Sequence, residues 1–109
     1  MRNIKIGIIG LGYVGLPVSV SFAKEYNVIG YDINSKRVNE LNDFNDKTLE
    51  VTPKRLKQSL TKNLILTNNI HELKSCNVYI ITVPTPINLD KSPDLSPLLS
   101  ATKAIGKLL

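Results

Sequence analysis

The sequence predicts an α/β fold: a doubly wound parallel sheet in three α/β/α layers, truncated after four strands. Three observations carry this. Short apolar segments rich in β-branched residues alternate with segments whose apolar residues recur at helical spacing. Three glycines, Gly10, Gly12 and Gly15, stand at the first strand-to-helix junction. An acid, Asp32, closes the second apolar segment, 17 residues beyond Gly15. Strand, helix, strand, helix in close succession is the pattern of βαβ units.

The elements follow in order. Residues 3–9 form a short apolar strand. From 13 to 26 the period changes: Val14, Val18 and Phe22 make one apolar stripe, and Leu16, Val20 and Ala23 a neighbouring one. Residues 28–31 read as a second strand. Asn34 or Ser35 can cap the helix over 35–43, whose apolar face carries Val38 and Leu41. Thr52 followed by Pro53 is a cap with proline at the first helical position, which predicts a helix over 53–62. A third strand covers 63–68, and Asn69 caps a short helix over 70–75. Residues 78–83 are continuously apolar, so this fourth strand is expected to be buried on both faces. A polar loop over 88–94 leads to a last helix beginning near Ser96 and Pro97. A helix after a parallel strand normally crosses over to another strand. The expectation is therefore one incomplete domain over 1–109, the first part of a longer sheet.

Composition narrows the function classes. The chain has 109 residues, enough for one hydrophobic core. No apolar run reaches the roughly 18 residues a membrane span needs. The basic, apolar start is broken by glycines and lacks a small-residue cleavage site, so a signal peptide is not expected and the cytoplasm is. One cysteine, Cys76, excludes an internal disulfide framework and reads as a small buried hydrophobe. With one histidine, His71, besides it, no metal site is expected. The net charge is +5, but the basic residues are scattered and no series of stacking aromatics accompanies them. Nucleic acid is therefore not the expected partner, and a surface that accepts a phosphorylated ligand is.

The glycines carry the chemistry. Gly10-x-Gly12-x-x-Gly15 alone is a weak signal, since a tight turn also uses glycine. Here it follows a strand, opens a helix and precedes an acid-terminated second strand, the context of a Rossmann-type dinucleotide site. Gly10 permits the sharp turn, Gly12 admits a pyrophosphate to the backbone, and Gly15 lets the helix sit close on the sheet. The first helical N–H groups and the helix dipole favour the phosphates. Asp32 can accept from the ribose hydroxyls of the adenosine half, and its charge repels a 2′-phosphate, which favours NAD over NADP. Asp32 could also serve as a helix-capping acid. Arg37, one turn later, is open between a contact to ribose or phosphate and a free helix surface. Pro84-Thr85-Pro86 ends the fourth strand at the sheet's carboxyl edge, where open α/β sheets bind ligands. A plain turn is the alternative for these residues.

Together, GIIGLGYVGLP (7–17), VIGYDIN (28–34) with Arg37, NVYIITVPTPI (77–87) and PDLSPL (93–98) resemble the UDP-glucose/GDP-mannose dehydrogenase family. The resemblance runs nearly end to end. The glycine-loop and VPTPI forms are most similar to members that oxidise UDP-N-acetylhexosamines for capsule or O-antigen synthesis. The resemblance implies an enzyme that oxidises C6 of a UDP-sugar to the carboxylate with two NAD+ per turnover. It implies a first domain that binds NAD, a second that binds the substrate, and an oligomer of at least two copies. Gly10, Gly12, Tyr13, Val14 and Gly15 would form the cofactor loop, with Tyr13 and Val14 offering backbone N–H groups. Asp32 and Arg37 would hold the adenosine end, and Pro84 and Thr85 would lie near the cofactor. The family's catalytic cysteine, lysine, asparagine and glutamate have no counterparts in these residues, and Cys76 does not match the nucleophile's position. No catalytic residue is therefore expected in this chain, and the chain alone is expected to be inactive. The substrate-binding domain is expected to lie outside it. Two other readings stay open: an NAD-dependent dehydrogenase of the 6-phosphogluconate or hydroxyacyl-CoA type, and a non-enzymatic NAD-sensing module.

Overall fold

The computed structural model describes residues 4–84 and 88–109. Four strands, β1 (Lys5–Ile9), β2 (Asn27–Tyr31), β3 (Leu64–Thr67) and β4 (Val78–Ile81), form one parallel sheet in the order β3-β2-β1-β4. Four α-helices, α1 (Gly15–Phe22), α2 (Ser35–Asn42), α3 (Pro53–Leu60) and α4 (Ser96–Leu108), flank it, with a 3-10 helix over Ile70–Ser75. This is the Rossmann-type α/β arrangement that the alternating pattern predicts.

Alternation along β1 assigns the layers. Ile6 and Ile8 face a core built with Leu16 and Val20 of α1, Val38 and Leu41 of α2, and Leu56 of α3. Ile9 joins Ile29, Leu73, Cys76 and Ile105 of α4 in a second core on the other face. Each fully buried leucine contributes about 1.5–3 kcal/mol relative to exposure, so Leu16, Leu41 and Leu56, all at 0% exposure, pin their helices to the sheet. Gly7 faces the second core, where a Cβ would come within 3.0 Å of Leu73 and 3.1 Å of Tyr79.

The caps behave as their chemistry dictates. The Asn34 side chain accepts from the N–H groups of Lys36 and Arg37, Thr52 from Arg55, and Asn69 from His71. Ser35 is the first helical residue, and Asn34 is the cap.

Several boundaries differ from the sequence reading, most of them by one or two residues. Helix α1 begins at Gly15 rather than residue 13 and ends at Phe22, because residues 11–14 run as a loop and the Lys24 N–H bonds the Ser21 carbonyl in a tighter turn. Helix α3 ends at Leu60 rather than residue 62. Strand β4 stops at Ile81, and it is not buried on both faces: Val78 is 40% exposed and Tyr79 to Ile81 are half-buried. Among the described residues β4 pairs only with β1, so it is an edge strand, and its apolar run lacks a neighbour to cover it.

Candidate functional site

From β1 the chain winds outward through β2 to β3 and then crosses back to place β4 on the other side of β1, and ligands bind doubly wound sheets at such a reversal of strand order. The carboxyl ends of β1, β2 and β4 open onto one cavity of about 810 Å3, within the size range of small-molecule sites.

Residues 10–14 form one wall. Gly10 has a φ of +103°, and a Cβ there would stand 2.9 Å from the Thr82 carbonyl oxygen, so conformation and space both require glycine. Gly15 does not line the cavity. A Cβ on it would overlap the Gly10 carbonyl oxygen and approach the Thr82 hydroxyl to 2.5 Å. The start of α1 is thereby seated on the loop. Gly12 is the reverse case: a Cβ on it would meet nothing within 4 Å. The fold has no steric need of glycine there, whereas a ligand approaching the backbone does. Val14, the N-cap of α1, supplies no side-chain acceptor, while in the first turn the Leu16 N–H already bonds the Gly12 carbonyl at 3.2 Å and Pro17 has no N–H. Tyr13 and Val14 are 69% and 60% exposed at the mouth.

The second wall comes from the end of β2. Asp32 accepts from the Leu11 N–H at 2.9 Å through Oδ2, and from the Asn34 N–H at 2.9 Å through Oδ1. Its carboxylate is thus tied to the glycine loop, and each oxygen keeps acceptor capacity for a further donor. Burial pushes the Tyr31 phenol above its ordinary pKa, and the neighbouring Asp32 charge raises it further. Arg37 also lines this wall, with two of its three nitrogens engaged. Nε donates to the Leu11 carbonyl at 2.8 Å and Nη1 to Asp46 Oδ1 at 2.9 Å.

Helix α4 closes the far side with Pro97, Ser100, Ala101 and Ala104. Thr82, at the end of β4, ties the strands together: its N–H bonds the Ile9 carbonyl at 2.8 Å and its hydroxyl donates to the Gly10 carbonyl at 2.8 Å.

The structure brings Gly10, Gly12, Tyr13, Val14, Asp32, Arg37 and Pro84 to one cavity, with Gly15 just behind it. Thr85 and Pro86 lie outside the described residues. Sequence reasoning did not find Leu11, Ile33, Asn34, Thr82 or the α4 wall. A signal for that wall was present, since Pro97, Ser100, Ala101 and Ala104 are small or compact residues at helical spacing. Among the described residues no three His, Cys, Asp or Glu side chains converge as a metal site.

The family model described as the UDP-glucose/GDP-mannose dehydrogenase family, NAD binding domain, matches residues 4–109. The chain is 49% identical over 109 residues to UDP-N-acetyl-D-glucosamine 6-dehydrogenase of Pseudomonas aeruginosa, covering all of this chain and 25% of that protein. It is 50% identical over 107 residues to the Salmonella typhi protein of the same name, covering 98% and 25%. The solved structure of UDP-D-ManNAc dehydrogenase from Pyrococcus horikoshii superposes with a TM-score of 0.91 at 38% identity, over 97% of this chain and 26% of that one. The chain therefore spans about a quarter of the length of the relatives it matches.

Proposed function

Because the chain belongs to the UDP-glucose/GDP-mannose dehydrogenase family, through its NAD binding domain, we propose that the whole protein oxidises C6 of a UDP-N-acetylhexosamine to the carboxylate, with NAD+ bound in the cavity described above. When bound, NAD+ accepts hydride, a chemistry that belongs to the cofactor. This chain's residues bind and orient it. The pyrophosphate lies against Gly12 and the start of α1, where the helix dipole favours negative charge. Asp32 accepts from the adenosine ribose. Pro84 borders the nicotinamide end, and Tyr13 and Val14 flank the phosphates. The sugar and the covalent chemistry belong to a further domain of a cytoplasmic oligomer.

The observation that carries the cofactor assignment is the unfilled space at Gly12, on the same cavity wall as the loop-tethered Asp32. The choice of an N-acetylhexosamine rests on the two 6-dehydrogenases at 49% and 50% identity.

The test has two parts. Calorimetry should give tighter binding for NAD than NADP, and Asp32→Ala should reduce the preference. An equal affinity of the unaltered protein for both dinucleotides would overturn the role of Asp32. The whole protein, supplied with NAD+ and in turn UDP-GlcNAc, UDP-ManNAc and UDP-glucose, should release two NADH per N-acetylated sugar oxidised. Turnover of UDP-glucose alone would overturn the substrate assignment and leave the cofactor site standing.

A further inference from the structure

Arg37 stands at the adenosine end of the cavity, on the residue that Asp32 also holds. Leu11 gives its N–H to Asp32 at 2.9 Å and receives Arg37 Nε on its carbonyl at 2.8 Å. An arginine beside the ribose acid is the group that accommodates a 2′-phosphate in NADP-dependent sites. Here two of its nitrogens are engaged and the third, though unpartnered, is buried, so the clamped group cannot turn toward a phosphate. Its side chain is 12% exposed, Nη1 is paired with Asp46 at 2.9 Å, and Nη2 is buried without a hydrogen-bond partner.

Asp46 is itself anchored from several directions. Its side chain is fully buried. Oδ1 accepts from the Thr48 N–H at 2.9 Å and from the Thr48 hydroxyl at 2.6 Å, besides Arg37. Oδ2 accepts from the N–H groups of Glu50 and Val51, both at 3.0 Å. A carboxylate so held is a fixed counter-charge, and it cancels the cation next to the ribose acid.

Given the dinucleotide reading of the cavity, on which this rests, we propose that Asp46 is a positioning residue that sets cofactor choice. By clamping the Arg37 guanidinium against Leu11, it withholds that cation from a 2′-phosphate, so the site selects the dinucleotide with a free 2′-hydroxyl. Selectivity then has two parts. Asp32 repels the 2′-phosphate directly, and Asp46 denies it a partner. The second part lies outside the cavity, in the loop between α2 and α3.

The test is the ratio of NADP to NAD dissociation constants, measured by calorimetry on the whole protein. Asp46→Ala frees the guanidinium, and the ratio should fall about tenfold, the value of one charge-assisted hydrogen bond gained by NADP alone. Adding Arg37→Met to that variant should restore the original ratio. Arg37→Lys keeps the cation but cannot hold Leu11 and Asp46 at once. It should lower the ratio in the same direction, and it answers the question if Asp46→Ala fails to fold. Equal weakening of both dinucleotides, with the ratio unchanged in each folded single variant, would make Asp46 structural only and overturn the proposal. Unaltered protein that binds neither dinucleotide overturns the cofactor reading, and this proposal with it. NAD bound with the ratio unmoved overturns only this one.

Discussion

Gly15 and Gly10 meet so closely that a Cβ on Gly15 would overlap the Gly10 carbonyl oxygen. The obstacle is backbone, held just past β1 by the Gly10 N–H bond to the Tyr31 carbonyl at 2.8 Å, so no side chain can swing aside. Thr82, 2.5 Å from the same Cβ position, blocks a second direction. Gly15→Ala must push α1 away from the sheet or break the turn. Overpacking of this kind costs about 1–3 kcal/mol, occasionally more. The variant should melt well below the unaltered protein in a thermal scan and bind NAD poorly. An unchanged melting temperature would mean that α1 can shift without loss.

Gly12 should separate function from stability. A Cβ there meets nothing within 4 Å, and the residue does not need a left-handed conformation. Gly12→Val should therefore leave unfolding within about 0.5 kcal/mol, as substitutions away from packed features do. It should nevertheless abolish NAD binding, because the branched side chain fills the space beside the phosphates. Calorimetry and a thermal melt on one preparation read both effects. Normal binding by the folded variant would remove Gly12 from the phosphate site.

Thr82 has the opposite profile. Its hydroxyl, 2.8 Å from the Gly10 carbonyl, links β4 to the glycine turn. Thr82→Val keeps the shape and removes the donor, leaving that carbonyl short of one partner. The expected cost is about 1 kcal/mol, seen in denaturant unfolding, with a weaker dinucleotide affinity from a looser turn. A loss of affinity without loss of stability would instead place the hydroxyl on the ligand.

What the sequence made legible followed from local chemistry. Gly10, Gly12, Gly15 and Asp32 each answer a steric or electrostatic demand that recurs at fixed spacing, so the βαβ frame and one wall of the cavity could be read directly. The engagement of Arg37 could not. Its partner Asp46 lies in a loop without periodicity, and nothing in NDKTLEV announces a buried carboxylate. Thr82 was hidden for another reason. Its contact with Gly10 depends on β1 and β4 pairing across 72 residues, which no short pattern encodes. The apolar run of β4 suggested burial on both faces, but hydrophobicity reports what a strand can bury and not whether a neighbour is there to cover it.

Asp46 also makes a prediction about acid. Burial raises its pKa, but the Thr48 hydroxyl, the Arg37 guanidinium and the N–H groups of Val51 and Thr48 outweigh it and hold the carboxyl below its ordinary value of 3.8. A pKa lower in the folded than the unfolded state means that the unfolded chain binds the proton more readily. The stabilisation is therefore complete above the ordinary value and drains away as pH falls below it, through the folded pKa. At neutral pH, Asp46→Asn leaves Arg37 without its counter-charge and should cost about 3 kcal/mol, as broken buried pairs do. Melting curves taken from pH 7 down to pH 2 should show the two proteins far apart at neutrality and converging below the ordinary carboxylate range. A gap that stays constant to the acid end would mean that the charge of Asp46 contributes nothing and that its shape alone holds the loop.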